Sequence, residues 1–309
     1  MKFLKTLGRA VGYLALRLAV FAVPHLSIST TRRLGALLGR MMWALARRRR
    51  EIADRNLRLA YGSTLTPSQR RQIARKSFEN LGMIAVETIK VAHMSEAEVE
   101  DATEVTAHDA ASVRAVFDQA GGAIFVSAHH GCFDLALRYI ATYHRQVVVV
   151  YRAARDVRTT ELMNSLRRRN GIDMVRTDQA ARALLRALRG GGFVALLADQ
   201  NATDVIVPFF GRPTGTVSGP ARLALKTGTP IIVGVCERGA TRYRIALGGI
   251  ITPDKNRPED EEVLRITSEI NAYLEGLIRR HPEQWFWCHN RWRSSPKNPL
   301  PEEGPAVPA

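Results

Sequence analysis

The sequence predicts an α/β fold, with a largely parallel or mixed sheet flanked by helices and preceded by N-terminal membrane-associated helices. Two observations predict the sheet. After about residue 121 the chain consists of short apolar runs, and helical patterns lie between several of them. Alternation of strand and helix is the pattern of a largely parallel sheet covered by helices. The predicted strands are residues 123–127, 147–151, 172–175, 193–198, 230–235 and 243–247.

The third observation concerns residues 1–50, which contain eleven Lys or Arg and no acidic residue. Residues 10–23 are apolar apart from Arg17, but a spanning helix needs roughly 20 apolar residues. A second segment has Arg33, Arg40 and Arg47 beside one apolar helical stripe, as is typical of a helix in a bilayer interface. The stripe consists of Leu34, Leu37, Leu38, Met41, Met42 and Leu45. We expect an uncleaved single-pass or monotopic anchor; a helix packed on the domain is the alternative.

Composition limits the function classes. The apolar content of 46% is enough for a hydrophobic core, and the net charge of +16 attracts nucleic acid, anionic lipid or an acidic protein. Three cysteines lie far apart without a C-x-x-C pair, which argues against a structural zinc site and a disulfide framework.

Helical patterns also fill residues 51–92 and 259–280. We therefore divide the chain into N-terminal membrane-anchoring helices (1–50), a catalytic domain (51–293) and a disordered Pro-rich tail (294–309).

The stretch His129-His130-Gly131-Cys132-Phe133-Asp134 joins an apolar run to a helical pattern. On a continuous helix, positions five apart point about 140° away from each other. At a strand-to-helix corner, where Gly131 permits a tight turn, His129 and Asp134 can meet. An aspartate that accepts from one imidazole nitrogen raises the basicity of the other, as a general base for a hydroxyl requires. We predict His129 as the base and Asp134 as its orienting partner.

Other chemistry uses the same residues. Cys132 could be a nucleophile, since a helix start and a histidine lower a thiol pKa. His129, His130 and Asp134 with His289 could bind a divalent metal for hydrolysis, and a non-enzymatic basic binder is a third class.

The tryptophans near the C-terminus, interleaved with basic residues, are typical of a bilayer interface or of base stacking; they are Trp285, Trp287 and Trp292. No nucleic-acid-binding fold signature accompanies them, so we expect no nucleic-acid partner.

The His-x4-Asp spacing of His129 and Asp134 resembles the first motif of the glycerolipid acyltransferase superfamily. Over roughly residues 5–295, the wider context is similar to the bacterial lipid A late acyltransferases. The matching segments are Tyr151-Arg152, Ala198-Asp199-Gln200, Val207-Pro208-Phe209-Phe210-Gly211-Arg212-Pro213 with Thr216, Gly228-Thr229-Pro230, and Pro282-Glu283-Gln284-Trp285-Phe286-Trp287 with Arg291-Trp292. Many members of that branch carry Phe, Asn, Trp and Glu where this chain has His130, Cys132, Phe133 and Asp134.

The resemblance implies transfer of a fatty acyl chain from a thioester, usually of acyl carrier protein, with coenzyme A as the other possible donor. The acceptor would be a hydroxyl of a lipid A precursor at the cytoplasmic face of the inner membrane. A phosphatidylinositol mannoside, a lysophospholipid and an ornithine lipid stay open as acceptors. No covalent acyl-enzyme, metal or cofactor is implied, and direct transfer disfavours Cys132 as nucleophile. We expect Arg152 to clamp a phosphate and the other substrate-binding residues to be Asp199, Gln200, Phe209, Phe210, Gly211 and Thr216.

Overall fold

The computed structural model describes residues 2–143, 147–151 and 156–296. The helices are α1 (Lys2–Ala22), α2 (Ile28–Leu45), α3 (Arg47–Tyr61), α4 (Pro67–Val91), α5 (Glu96–Ala102), α6 (Ala107–Ala120), α7 (Phe133–Tyr143), α8 (Val157–Arg168), α9 (Ala180–Arg189), α10 (Gly219–Thr227) and α11 (Glu259–Arg280). The strands are β1 (Thr103–Val105), β2 (Ala123–Ser127), β3 (Val147–Tyr151), β4 (Ile172–Arg176), β5 (Phe193–Leu197), β6 (Val205–Phe209), β7 (Arg212–Thr216), β8 (Ile231–Arg238) and β9 (Tyr243–Ile251).

Seven strands form one mixed sheet in the order β1-β9-β8-β2-β5-β3-β4, and β6 and β7 form a separate antiparallel hairpin. Within the large sheet, β9 runs antiparallel to β8 and every other neighbouring pair is parallel. The predicted α/β fold with a mostly parallel sheet is confirmed, and each of the six predicted strands is present. The hairpin was not predicted, because Pro208, Gly211 and Pro213 interrupt any strand pattern there.

The central strand β2 is buried along its whole length because helices cover both faces of the sheet. Ile124 and Val126 point into a core that includes residues of α9, α10 and α11. Ala123 and Phe125 point into a second core, on the side of α5, α6 and α7. Burial on both faces explains why the predicted strands are continuous apolar runs without alternating polar residues.

Helix α2 packs on α4 through its small residues. A Cβ added at Gly35 would lie 2.5 Å from the Cα of Met83, and one added at Gly39 would lie 2.2 Å from the carbonyl oxygen of Phe78. On the α4 side, a Cβ at Gly82 would lie 2.1 Å from the Gly35 oxygen. The two backbones therefore touch. Met42 and Trp43 of α2 also pack on the core, whereas Leu34, Leu37, Leu38, Met41 and Leu45 are exposed.

Helix α11 has the predicted bounds, residues 259–280. Thr66 caps α4 by accepting from the Gln69 amide. Among the described residues, no helix has the length and apolar character needed to cross a membrane. Membrane association of residues 1–50, and the division of the chain at residue 50, remain predictions.

Candidate active site

The site begins where two adjacent parallel strands end. Ser127 of β2 pairs with Leu197 of β5, and the Ala198 amide donates to the Ser127 carbonyl at 3.0 Å. His129 and Asp199 lie two residues beyond these partners, so the strand register brings them together at the carboxyl edge of the sheet. The His129 Nδ1 and Asp199 Oδ1 atoms are 2.8 Å apart. The His129 side chain is 24% exposed, which leaves its ring accessible to a substrate.

Asp199 is buried and accepts three hydrogen bonds. Besides His129 Nδ1, the His129 amide donates to Oδ2 at 2.9 Å and the Trp285 indole donates to the same oxygen at 2.8 Å. Burial opposes ionisation of Asp199, but the His129 charge and these donors outweigh it and lower the Asp199 pKa to about 2. For His129, burial acts to lower the pKa, and Asp199 overrides it so that the pKa is raised.

Asp134 was predicted to orient His129, and the structure corrects this. Asp134 lies in the first turn of α7 and is buried, where Arg167 of α8 donates to its two oxygens at 2.7 and 3.0 Å. Thr88 of α4 donates to Oδ2 at 2.6 Å. Asp134 thus joins α4, α7 and α8, and it acts on His129 only through its charge, which helps to raise the His129 pKa. Asp199 occupies the orienting position.

His130 and Cys132 are buried beneath His129. His130 Nε2 lies 3.1 Å from the His281 carbonyl, and burial lowers the His130 pKa to about 3. Burial raises the pKa of the Cys132 thiol well above its usual value. His130 therefore stays neutral and Cys132 stays protonated, which argues against a second base and a thiolate nucleophile at these positions.

The turn after β2 is held by buried contacts from other elements. Gly131 has φ +57°, and a Cβ there would lie 1.8 Å from the Cys236 carbonyl oxygen. Arg238 donates to the Gly131 carbonyl at 2.9 Å and pairs with the buried carboxylate of Glu87. The Gly131 amide donates to the Gln284 carbonyl at 3.0 Å. Sequence reasoning identified Gly131 as a turn residue but missed Arg238 and Glu87, which are distant in sequence.

The predicted substrate-binding residues have different outcomes. Asp199 is the hydrogen-bond partner of His129 and not an open substrate contact. Gln200 reaches the site: its side-chain nitrogen lies 3.3 Å from His129 Nε2. Phe209, Phe210 and Thr216 are buried in the core, so the structure corrects their assignment as substrate-binding residues. Gly211 lies at the exposed hairpin turn, where a substrate contact stays a prediction. Arg152 lies outside the described residues.

The tryptophans also need correction. Trp285, Trp287 and Trp292 are buried, so they contact neither a bilayer nor stacked bases. They pack with Phe209 and Phe210, and the Trp285 and Trp287 rings meet edge to face at 4.6 Å. Through the Trp285 indole, which donates to Asp199, this aromatic cluster helps to hold the carboxylate in place. The basic and aromatic pattern could not distinguish surface from core.

The donors of the alternative, metal-binding site do not converge. His130 faces the His281 carbonyl, and Asp134 is paired with Arg167. His289 Nε2 accepts from the Asn201 amide at 3.1 Å. Within residues 2–143, 147–151 and 156–296, no three His, Cys, Asp or Glu side chains are grouped to hold a metal ion.

Comparison with known proteins identifies the family. The sequence model described as "Bacterial lipid A biosynthesis acyltransferase" matches residues 2–294. The chain belongs to this family. The lipid A biosynthesis lauroyltransferase of Escherichia coli K12 is 26% identical over 270 residues, which cover 86% of each chain. The palmitoleoyltransferase of the same strain is also 26% identical over 270 residues, covering 85% of each chain.

A more distant relative in the comparison is the phosphatidylinositol mannoside acyltransferase of Mycobacterium tuberculosis CDC 1551. It is 24% identical over 177 residues, which cover 55% of this chain and 54% of the relative. Membership of the lipid A acyltransferase family confirms the resemblance seen in the sequence, and the chain is an O-acyltransferase. The His129–Asp199 pair lies within the matched residues.

Proposed function

We propose that this acyltransferase moves a fatty acyl chain from an acyl-carrier-protein thioester to a hydroxyl of a lipid A precursor. The observation that carries the proposal is the His129–Asp199 pair at the open edge of the sheet, 2.8 Å apart. The charged Asp199 accepts a hydrogen bond from the N–H group at Nδ1, which leaves the lone pair on Nε2 of the neutral ring. That nitrogen takes the proton from the acceptor hydroxyl, whose oxygen attacks the thioester carbonyl.

Direct transfer fits the rest of the site. The Cys132 thiol is buried and protonated, so no cysteine at this turn is poised for a covalent acyl-enzyme. After the tetrahedral intermediate collapses, the imidazolium returns its proton to the departing thiolate. The cycle needs only the two substrates, and we propose that it uses neither a metal nor a cofactor.

We propose that α1 and α2 hold the enzyme on the cytoplasmic face of the inner membrane. The small face of α2 is buried against α4, whereas four leucines and Met41 on another face are exposed, up to 84% at Leu45. In α1, Phe21 is 77% exposed and shares its exposed face with Leu18. Exposed Arg33, Arg47 and Arg48 suit lipid phosphates, and a cytoplasmic leaflet attracts such basic segments. The helices would lie in the interface rather than span it.

A cavity on the α6 side of the sheet is the proposed site of the acyl chain. Its volume is about 570 Å³, within the roughly 300–1,000 Å³ of small-molecule sites. Apolar side chains of the sheet and of α7 line most of it, and α6 closes one side with Asp109, Ala110, Val113, Arg114 and Asp118. Phe125, four residues before His129 on the same chain segment, also lines the cavity. For this site to serve the reaction, the carboxyl end of the acyl chain must point toward the carboxyl edge of β2, where His129 lies.

The first experiment is an acylation assay. Membranes containing the wild-type protein, His129→Ala or His108→Ala are incubated with labelled acyl-carrier-protein thioester and a lipid A precursor in the presence of EDTA, and lipid masses are measured. His108 is an exposed histidine of α6 and serves as the matched control. We expect an added acyl mass with wild type and His108→Ala only. Acylation by His129→Ala at the wild-type rate would contradict the assignment of the base, and loss of all activity in EDTA would favour the metal-dependent hydrolase.

Other acceptors are tested in the same assay. The similarity to a phosphatidylinositol mannoside acyltransferase supports including that glycolipid beside a lysophospholipid and an ornithine lipid. Replacing the carrier-protein thioester by the coenzyme A thioester tests the donor. If the wild type acylates one of these lipids and not the lipid A precursor, the proposed acyl transfer is kept and the proposed acceptor is replaced by that lipid.

A further inference from the structure

The Gln200 side-chain amide contacts the reactive nitrogen of His129, and the proposed reaction does not yet use it. Gln200 Nε2 lies 3.3 Å from His129 Nε2. Because the proton on Nδ1 is held by its hydrogen bond to Asp199, Nε2 of the neutral ring is an acceptor and the amide nitrogen must be the donor. Gln200 therefore presents an N–H group at the atom that takes the substrate proton.

The loop that carries Gln200 is fixed on both sides of it. Before it, Asp199 is held by three hydrogen bonds from His129 and Trp285. After it, the Asn201 amide donates to His289 Nε2 at 3.1 Å. The Ala202 amide donates to the Gly215 carbonyl at 3.2 Å. The backbone that carries this donor is therefore fixed beside the reacting atoms, and only the side-chain amide has to turn.

Substrate binding must move this donor to a new acceptor. A hydroxyl that gives its proton to His129 Nε2 approaches it to roughly 2.6–3.2 Å and displaces the Gln200 N–H group. The thioester carbonyl attacked by that hydroxyl lies next to it, so the displaced N–H group faces the oxygen on which negative charge develops. We infer that Gln200 donates this hydrogen bond to the oxyanion and is a catalytic residue. This inference rests on the proposed acyl transfer.

The step balances without any further reactant. The hydroxyl oxygen forms a bond to the carbonyl carbon while its proton moves to His129 Nε2, and the carbonyl π electrons move to oxygen. Gln200 donates to that oxygen in the intermediate. The electrons then reform the carbonyl, the carbon–sulfur bond breaks, and the leaving thiolate takes the proton from His129. Water in place of the lipid hydroxyl follows the same course, so slow hydrolysis of the thioester uses the same oxyanion donor.

The experiment compares transfer with hydrolysis. Gln200→Met keeps a similar volume without the N–H donor, Gln200→Ala is the second variant, and Gln72→Met at an exposed position of α4 is the control. Hydrolysis of a dodecanoyl thioester is followed by release of thiol without a lipid acceptor. Transfer is followed by mass analysis with whichever acceptor the wild type uses. We expect kcat for both reactions to fall by about 10²–10³ at unchanged KM, as for loss of one oxyanion donor.

Three results would overturn the inference. Hydrolysis at the wild-type rate with impaired transfer means that Gln200 binds the lipid hydroxyl. A raised KM at unchanged kcat means that it binds the ground state, and wild-type kinetics mean that it only contacts the resting imidazole. If the wild type hydrolyses the thioester but acylates no lipid, the proposed acceptor is wrong and the hydrolysis rates still decide the role of Gln200. If the wild type does not consume the thioester, both proposals fail.

Discussion

Two buried aspartates raise the pKa of His129, but only Asp199 forms a hydrogen bond with its ring. We expect Asp199→Asn to lower kcat by up to about 10⁴-fold, the effect of an amide that favours the wrong tautomer in a comparable His–Asp pair. Removing the negative charge also lowers the His129 pKa. The base must be neutral, so the ascending limb of the kcat/KM–pH profile moves to lower pH.

Asp134→Asn is the matched comparison for Asp199→Asn. It breaks the ion pair with Arg167, which is 19% exposed, and we expect it to destabilise the fold by up to about 3 kcal/mol. We expect Asp134→Asn to shift the pH profile less than Asp199→Asn does, and to lower the thermal midpoint. This combination would show that Asp134 stabilises the fold, whereas Asp199 orients His129. If Asp134→Asn lowered kcat as much as Asp199→Asn in folded protein, the sequence-based assignment of the orienting residue would be restored.

Sequence reasoning found His129, Asp199 and Gln200 but paired His129 with the wrong carboxylate. The reason is that a motif records only spacing along the chain. The partner of His129 depends on β2 lying beside β5 in a register that aligns Ser127 with Leu197, and neither fact follows from local pattern. Each strand end was predicted, but their adjacency was not.

Trp285 offers a second test at the residue scale. Its indole donates to Asp199, whereas the Trp287 indole donates to the Pro282 carbonyl. Trp285→Phe removes one of the three donors to Asp199, leaving a more basic carboxylate that raises the His129 pKa further. We therefore expect the ascending limb of kcat/KM to move to higher pH.

Trp287→Phe controls for loss of a buried indole in the same aromatic cluster and should leave that limb in place. The measurement is kcat/KM against pH for both variants, with thermal midpoints to compare their stability. Equal shifts in the two variants would mean that the cluster, and not the hydrogen bond to Asp199, sets the His129 pKa.

At the scale of the elements, local sequence patterns were sufficient to predict single strands and the ends of α11. The acidic first turn and basic last turn of α11 complement its dipole, and its predicted bounds are confirmed. The burial of Phe209 and Phe210 was not predictable, because an apolar pair has the same sequence whether it fills a core or lines a groove. The hairpin buries them against Trp285.

Helix α6 supplies the element-scale prediction. Ala110 and its neighbour Ala111 are both exposed, but only Ala110 lines the cavity. We expect Ala110→Trp to fill part of the cavity and shift the enzyme toward shorter acyl donors. Since one methylene in an apolar pocket is worth about 1–3 kcal/mol, kcat/KM for the longest accepted chain should fall about tenfold or more.

A competition assay with thioesters of increasing chain length measures this shift. Ala111→Trp adds the same indole to the same helix outside the cavity and should keep the wild-type preference. An unchanged preference in Ala110→Trp would place the acyl chain elsewhere in the protein.

At the scale of the whole molecule, α2 has one face packed on the protein and another, apolar face exposed. Its glycines fix it to α4, and Arg32 on the same helix donates to the Gly239 carbonyl at 3.0 Å and lies 4.3 Å above the Tyr243 ring. The large residues left outside, including Leu37 and Met41, have no core to fill. A rigidly mounted apolar face with arginines beside it is suited to a lipid surface.

The corresponding prediction concerns vesicle binding. We expect the wild type to float with phosphatidylglycerol vesicles, more weakly with phosphatidylcholine vesicles, and less at high salt, because the screened arginines contribute part of the attraction. Leu37→Glu with Met41→Glu removes two apolar contacts worth about 1.5–3 kcal/mol each when buried and places charge at the surface, so affinity should fall at least tenfold.

Leu264→Glu is the matched control because Leu264 is 43% exposed on α11, far along the chain from the N-terminal helices. It should bind vesicles as the wild type does. If the double variant of α2 floats equally well while Leu264→Glu does not, the membrane contact lies on the α11 side of the protein. Comparing turnover of a soluble thioester in these variants then separates the two functions: hydrolysis should persist when docking is lost, because α2 contributes no side chain to the His129–Asp199 pair.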